Sequence, residues 1–154
     1  MNIIFYMPDE PLRVLHIDDE ELWRSTVCDY LPTFGNYQIV SVESGEKALA
    51  LLRTTCFDVV ISDYQMPEMN GLEILLHIRL SGNMIPFILF TGLKHERLAQ
   101  EAKDTGADFY VLKTGDPSLV FSDLNRKIIQ TVEKYRTIQA LATHRMHETK
   151  FSIL

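Results

Sequence analysis

Three carboxylates, a lysine and a threonine stand immediately beyond the ends of short apolar runs, and their types suit the transfer of a phosphoryl group. Asp18 and Asp19 close the run Leu12-Arg13-Val14-Leu15-His16-Ile17, and Asp63 closes Val59-Val60-Ile61-Ser62. Thr91 follows Ile85-Pro86-Phe87-Ile88-Leu89-Phe90, and Lys113 follows Asp108-Phe109-Tyr110-Val111-Leu112. If each run is a strand of one parallel sheet, all five residues fall on its carboxyl edge, where open α/β folds place their sites. Carboxylates packed together repel one another unless a cation sits among them, and hard oxygen ligands with one or two carboxylates suit Mg²⁺. With the metal and the Lys113 ammonium neutralising incoming phosphoryl oxygens, Asp63 can act as a nucleophile and form an aspartyl phosphate. Thr91 then offers the product a hydroxyl. Taken singly, these residues have plainer readings: an acidic pair at a helix start is a cap, and a lysine after a strand is solvated. Their convergence on one edge favours the site.

The elements that position them are legible as periodicities. Val59-Val60-Ile61-Ser62 has no alternation, as expected of a strand buried on both faces, and Pro67, Asn70 and Gly71 mark the loop after it. Gln38 to Glu43 reads as a further strand. Pro86 is tolerable because early strand positions can lack a donor. Between the strands, Leu22, Trp23, Thr26, Val27, Tyr30 and Leu31 recur at helical spacing, and Ala48, Leu49, Leu51 and Leu52 make a second stripe behind Ser44-Gly45-Glu46-Lys47. A third helix runs from Gly71 to Leu80 with Leu72, Leu75, Leu76 and Ile78 inward, closed by Ser81-Gly82-Asn83. A polar fourth helix spans Lys94 to Thr105, ended by Gly106. Asp116-Pro117 is a cap and first-turn pair for the last helix. Five strands alternating with five helices predict a doubly wound, five-stranded parallel α/β domain with an extended last helix.

The chain has 154 residues, 46% hydrophobic and 23% charged, enough for one domain with an ordinary core. Its net charge of −6 is unevenly spread, with nine Lys/Arg against eighteen Asp/Glu up to residue 120 and six against three beyond it. An acidic body argues against nucleic-acid binding. Cys28 and Cys56 have no second pair, so neither a disulfide framework nor a zinc site is signalled, and both read as buried thiols in a reducing cytoplasm. The amino-terminal tail, residues 1–11, holds Ile3-Ile4-Phe5-Tyr6-Met7 but reads as neither a signal peptide nor a membrane span. His16 lies within a strand pattern and is expected to be a packed histidine, with no second metal-type histidine near it. Met66 and Met69 read as loop fillers, and His144 and His147 as solvated.

From His16-Ile17-Asp18-Asp19-Glu20, Ile61 to Gly71, Phe90-Thr91-Gly92 and Tyr110-Val111-Leu112-Lys113, the chain resembles the receiver domain of two-component response regulators, over residues 12–135. The resemblance implies the flavodoxin-like receiver fold and a phosphorelay switch whose phosphodonor is a histidine kinase. It makes Asp63 the phosphoacceptor. Asp18 and Asp19 would hold Mg²⁺ together with Asp63 and the Gln65 backbone carbonyl, and Lys113 would pair with the phosphoryl group. Thr91 and Tyr110 become the switch pair, relaying the change to the face of the fourth helix, fifth strand and fifth helix. A plainer reading of Tyr110 is a core aromatic with its hydroxyl at the rim.

One departure stands out. Receivers usually continue Lys-Pro after the fifth strand, often through a cis peptide, whereas here Lys113 is followed by Thr114. A cis bond before a non-proline residue costs about 3 kcal/mol. Gln65 occupies a position that tunes dephosphorylation in the family. Two other functions remain open at this point: a receiver-like module that is never phosphorylated, and an aspartyl-phosphate phosphohydrolase of the haloacid dehalogenase type. The latter family expects a second Asp two residues after the nucleophile, where this chain has Gln65. In the last helix the pattern Phe121, Leu124, Ile128, Val132, Tyr135, Ile138 and Ala142 outruns what one sheet face needs. Residues 136–154 therefore read as a helical extension that pairs with a second copy or leads to a downstream target or fused domain.

Overall fold

In the computed structural model, which describes residues 9–152, five strands alternate with five helices. The strands are β1 Leu12–Ile17, β2 Tyr37–Val42, β3 Val59–Ser62, β4 Phe87–Thr91 and β5 Phe109–Leu112. The helices are α1 Glu21–Tyr30, α2 Gly45–Thr54, α3 Gly71–Leu80, α4 Glu96–Thr105 and α5 Pro117–Ser152, with a short 3-10 turn at Leu31–Thr33. All pairings are parallel, in the order β2-β1-β3-β4-β5, the flavodoxin-like order. The chain reverses its direction of travel across the sheet between β1 and β3, where Ile17 stands opposite Ser62. Asp18 and Asp63 therefore emerge side by side at that switch point.

Local chemistry fixes the helix ends. Ser44 caps α2 by accepting from the Lys47 N–H, and Asn70 forms a capping box with Glu73 at the start of α3. Asp116 accepts from the Ser118 N–H at 2.8 Å ahead of Pro117, so the start of α5 is capped as expected. Gly106 closes α4 at φ 106°, a left-handed conformation that a side chain would strain.

Strand alternation sorts the core into two layers. Leu12, Val14, Ile61, Ile88, Phe90 and Val111 pack on the α1/α5 side with Val27, Leu31, Phe121, Leu124, Ile128 and Val132. Leu15, Ile17, Val60, Phe87 and Leu89 pack on the other side with Ala48, Ile74, Leu75, Ile78, Leu98 and Ala102 from α2, α3 and α4. β3 and β4 are buried throughout, which accounts for their unalternating sequence.

Several expectations need correction. Leu22 and Leu76 face solvent, since α1 turns Trp23 and Val27 inward and α3 turns Ile74, Leu75 and Ile78 inward. Cys28 and Cys56 are exposed thiols: the first lies one position past buried Val27 on α1, and the second in the loop before β3. α4 starts at Glu96, and Thr91 is the last residue of β4. Among the described residues no peptide bond is cis, so Lys113–Thr114 is trans.

α5 is 36 residues long, about 54 Å at 1.5 Å per residue. Its inward stripe is buried only as far as Val132, and Arg136 to Lys150 is exposed, Ile138, Leu141 and Met146 included. Arg136, which reaches Asp58 at 3.1 Å, marks where the helix leaves the body. The apolar run Ile3 to Met7 lies outside the described residues.

Candidate functional site

The first residues beyond β1, β3 and β5 meet at the carboxyl edge. Lys113 Nζ lies 2.5 Å from Asp18 Oδ2 and 3.4 Å from Asp63 Oδ2, with side chains only 4%, 0% and 7% exposed respectively. Each carboxylate is pinned by the backbone: Asp18 Oδ1 accepts from the Glu20 N–H at 2.9 Å, and Asp63 Oδ1 accepts from the Tyr64 N–H at 2.8 Å. The main chain is held in turn, with the Asp63 N–H donating to Ile17 O at 2.9 Å and the Arg24 guanidinium donating to Asp18 O at 2.8 Å. Burial raises the Asp18 pKa, the Lys113 ammonium and the Glu20 N–H oppose that rise, and the nearby Asp63 charge adds to it.

Carboxylate oxygens of Asp18, Glu20 and Asp63 lie within 4.8 Å of one another. That is a hard-oxygen donor set of the kind a divalent cation takes. Glu20 was missed in the sequence, where it reads only as a helix-start acid. Asp19 is exposed and outside this group, and Gln65 is exposed as well. Glycine at position 71 is a packing requirement, since a Cβ there would lie 2.3 Å from Asp63 O and 2.9 Å from Leu89 Cδ1.

Thr91 is buried at the end of β4, and its Oγ1 accepts only a long 3.4 Å bond from the Leu93 N–H. Tyr110 stands on β5 opposite Leu89 and packs on the α3/α4 side. Among the described residues its hydroxyl has no hydrogen-bond partner although it is buried, and burial raises its pKa. The backbone of His95 lies close enough to oppose that rise. His16 is a packed histidine as expected: it is fully buried, and its Nδ1 bonds Ser41 Oγ at 2.9 Å.

A family model described as the response regulator receiver domain matches residues 14–125. The chain belongs to this family. This receiver domain is similar to the response regulator MprA of Mycolicibacterium vanbaalenii, with 30% identity over 103 residues, covering 67% of this chain and 44% of that protein. It is similar to a nitrate/nitrite response regulator protein homolog of Haemophilus influenzae, with 29% identity over 140 residues, 90% of this chain and 67% of that protein. Among solved structures, the chemotaxis response regulator CheY4 of Vibrio cholerae matches with TM-score 0.68 and 28% identity, covering 76% of this chain and 98% of that one. The chain thus spans less than half the length of MprA.

Receiver domains are signalling domains of two-component systems, phosphorylated by histidine kinases and dependent on Mg²⁺ at an acidic pocket, and they act on downstream outputs. Among the described residues no helix is long and apolar enough to cross a membrane.

Proposed function

We propose that this receiver domain is a switch in which Asp63 takes a phosphoryl group from the phosphohistidine of a histidine kinase. The observation that carries this reading is the Lys113 ammonium set between Asp18 and Asp63 at the mouth of the sheet. An Asp63 carboxylate oxygen attacks phosphorus, the P–N bond of the donor breaks, and its electron pair returns to the imidazole nitrogen, which takes up a proton. The product is an aspartyl phosphate.

The carboxylates fit Mg²⁺. Asp18, Asp19 and Asp63 with the Gln65 backbone carbonyl are the proposed ligands, and Glu20 supplies one further carboxylate beside them. When bound, the ion neutralises charge on the phosphoryl oxygens. Lys113 is already 3.4 Å from the acceptor carboxylate, so a small movement away from Asp18 pairs it with the new group.

The relay runs through Thr91 and Tyr110. The weakly held Thr91 hydroxyl is free to turn toward a phosphoryl oxygen, and Tyr110 fills the space it leaves. A buried hydroxyl without a partner costs about 1–3 kcal/mol, so the present Tyr110 placement is held less firmly than a bonded one would be, and contacts made at Asp63 can shift it. The α4-β5-α5 face then carries the output, and the exposed end of α5 leads it to a downstream protein, a fused domain or a second copy.

Intact-mass analysis after incubation with a small phosphodonor and Mg²⁺ tests the reading. One phosphoryl adduct on the wild type and none on Asp63→Asn is the expected result. Mg²⁺ binding with no adduct from any donor would instead make the protein a module that works by association alone.

A further inference from the structure

Lys113 has partners other than carboxylates. Its Nζ lies 4.7 Å from the centroid of the Trp23 ring and 5.7 Å from that of Phe90. The two rings meet edge to face, centroids 5.8 Å apart at 83°, and Phe90 leans in turn on Phe121 of α5 at 6.1 Å. Trp23 stands on the first turn and a half of α1, five residues after Asp18, and packs against the α1/α5 core. The ammonium is thus enclosed by Asp18 and Asp63 on one side and by aromatic faces on another.

The choice of an aromatic wall has a consequence for charge. A carboxylate in that place would hold the ammonium but add negative charge where a phosphoryl group, itself negative, must arrive. A ring face attracts a cation through its quadrupole while adding no net charge. The indole is also stiff, with two rotatable bonds and Phe90 behind it, whereas a lysine has four. The ring therefore restricts where the ammonium sits without competing for its N–H groups.

We propose that Trp23 is a positioning residue for phosphoryl acceptance: its indole face, backed by Phe90, holds the Lys113 ammonium between Asp18 and Asp63, where the phosphoryl oxygens arrive. The role in acceptance rests on the reading of Asp63 given above. The contact itself does not. Because Trp23 is the single tryptophan of the chain, its emission reports on the ammonium directly.

The test uses the full chain with acetyl phosphate and Mg²⁺, and compares Trp23→Leu, which loses the ring face, with Trp23→Phe, which keeps one. Trp23→Leu should slow adduct formation about three- to tenfold at saturating donor, and Trp23→Phe should stay within about twofold of wild type. In parallel, Lys113→Met should change the Trp23 emission spectrum while far-ultraviolet circular dichroism stays that of the native fold. Equal rates for wild type and Trp23→Leu would overturn the proposal, as would a Trp23→Phe as slow as Trp23→Leu or an emission spectrum indifferent to Lys113. Should the wild type form no adduct at all, the Asp63 reading falls, and the emission comparison alone then decides whether Trp23 holds the ammonium. Unfolding of Trp23→Leu would leave Trp23→Phe and the emission comparison to decide.

Discussion

Lys113 reaches from the end of β5 to Asp18 at the end of β1, Nζ to Oδ2 2.5 Å across 95 residues of sequence, and both side chains are almost wholly out of water. Asp63 lies against the same ammonium with a second buried carboxylate. Two carboxylates thus share one ammonium, an arrangement that favours ligand capture over stability. The two charges should respond oppositely to mutation. Lys113→Met strands both carboxylates and should lower stability by about 3 kcal/mol in chelator. Asp63→Asn leaves a matched Asp18–Lys113 pair and should raise it by roughly 1 kcal/mol, since a like-charge repulsion is removed. Urea midpoints at neutral pH decide it; a destabilised Asp63→Asn would mean that the carboxylate pair is not strained.

Divalent metal should relieve the same repulsion. A ligand that binds only the folded state adds stability that grows with the logarithm of its concentration, about 2.7 kcal/mol at a hundredfold excess over its dissociation constant. Mg²⁺ titration should therefore raise the melting temperature of the wild type, and Asp18→Asn or Asp63→Asn should remove most of that rise. Glu20→Gln should weaken it less, because Glu20 is the exposed member of the three carboxylates that gather here. A melting temperature indifferent to Mg²⁺ in the wild type would count against a cation at this pocket.

β3 and its loop were readable because burial on both faces suppresses alternation, and Asp63 had to follow at the carboxyl edge. The convergence of Asp18, Asp63 and Lys113 followed from counting strand ends. Side-chain direction was less readable. Leu22 and Leu76 satisfy a loose helical period, yet α1 turns Trp23 and Val27 inward and α3 turns Ile74, Leu75 and Ile78 inward. Glu20 reads as a helix-start acid until its backbone is seen bonded to Asp18, which folds the turn toward the pocket. The Trp23–Lys113 contact joins residues 90 positions apart, and no local pattern announces it. Exposure of Cys28 and Cys56 was missed because composition alone cannot say which way a small apolar residue faces.

Gly71 couples the third helix to the acceptor. Its N–H donates to Tyr64 O at 3.0 Å, and a Cβ would meet the Asp63 carbonyl oxygen at 2.3 Å, far inside contact distance. The atom it strikes is backbone and cannot swing aside. Gly71→Ala should therefore destabilise the fold by about 2 kcal/mol through overpacking, and should also displace Asp63. Adduct formation in conditions where the variant is still folded separates the two effects: it should be slower than wild type, whereas Gly82→Ala, strained by its φ of 83° but with open space around it just past the end of α3, should leave the rate of the folded protein unchanged.

His16 sets a pH limit. It is fully buried beneath the site, and burial, aided by the Lys113 and Arg24 charges, lowers its pKa from 6.5 to about 3. The native state therefore keeps the ring neutral while the unfolded chain takes up a proton below about pH 6.5. The unfolded state then binds more protons, so stability falls as the pH drops through that window, by up to about 1.4 kcal/mol per unit until about pH 3. Asp18, whose carboxyl pKa is raised by burial, works in the opposite sense and is common to wild type and variant, so the difference between the two profiles isolates His16. Chemical denaturation in chelator across that interval should show the slope in the wild type and a flatter profile in His16→Asn, whose amide can still bond Ser41. Identical slopes would mean that the folded protein protonates His16 as readily as the unfolded chain does, its Nδ1–H donating a hydrogen bond to Ser41 Oγ.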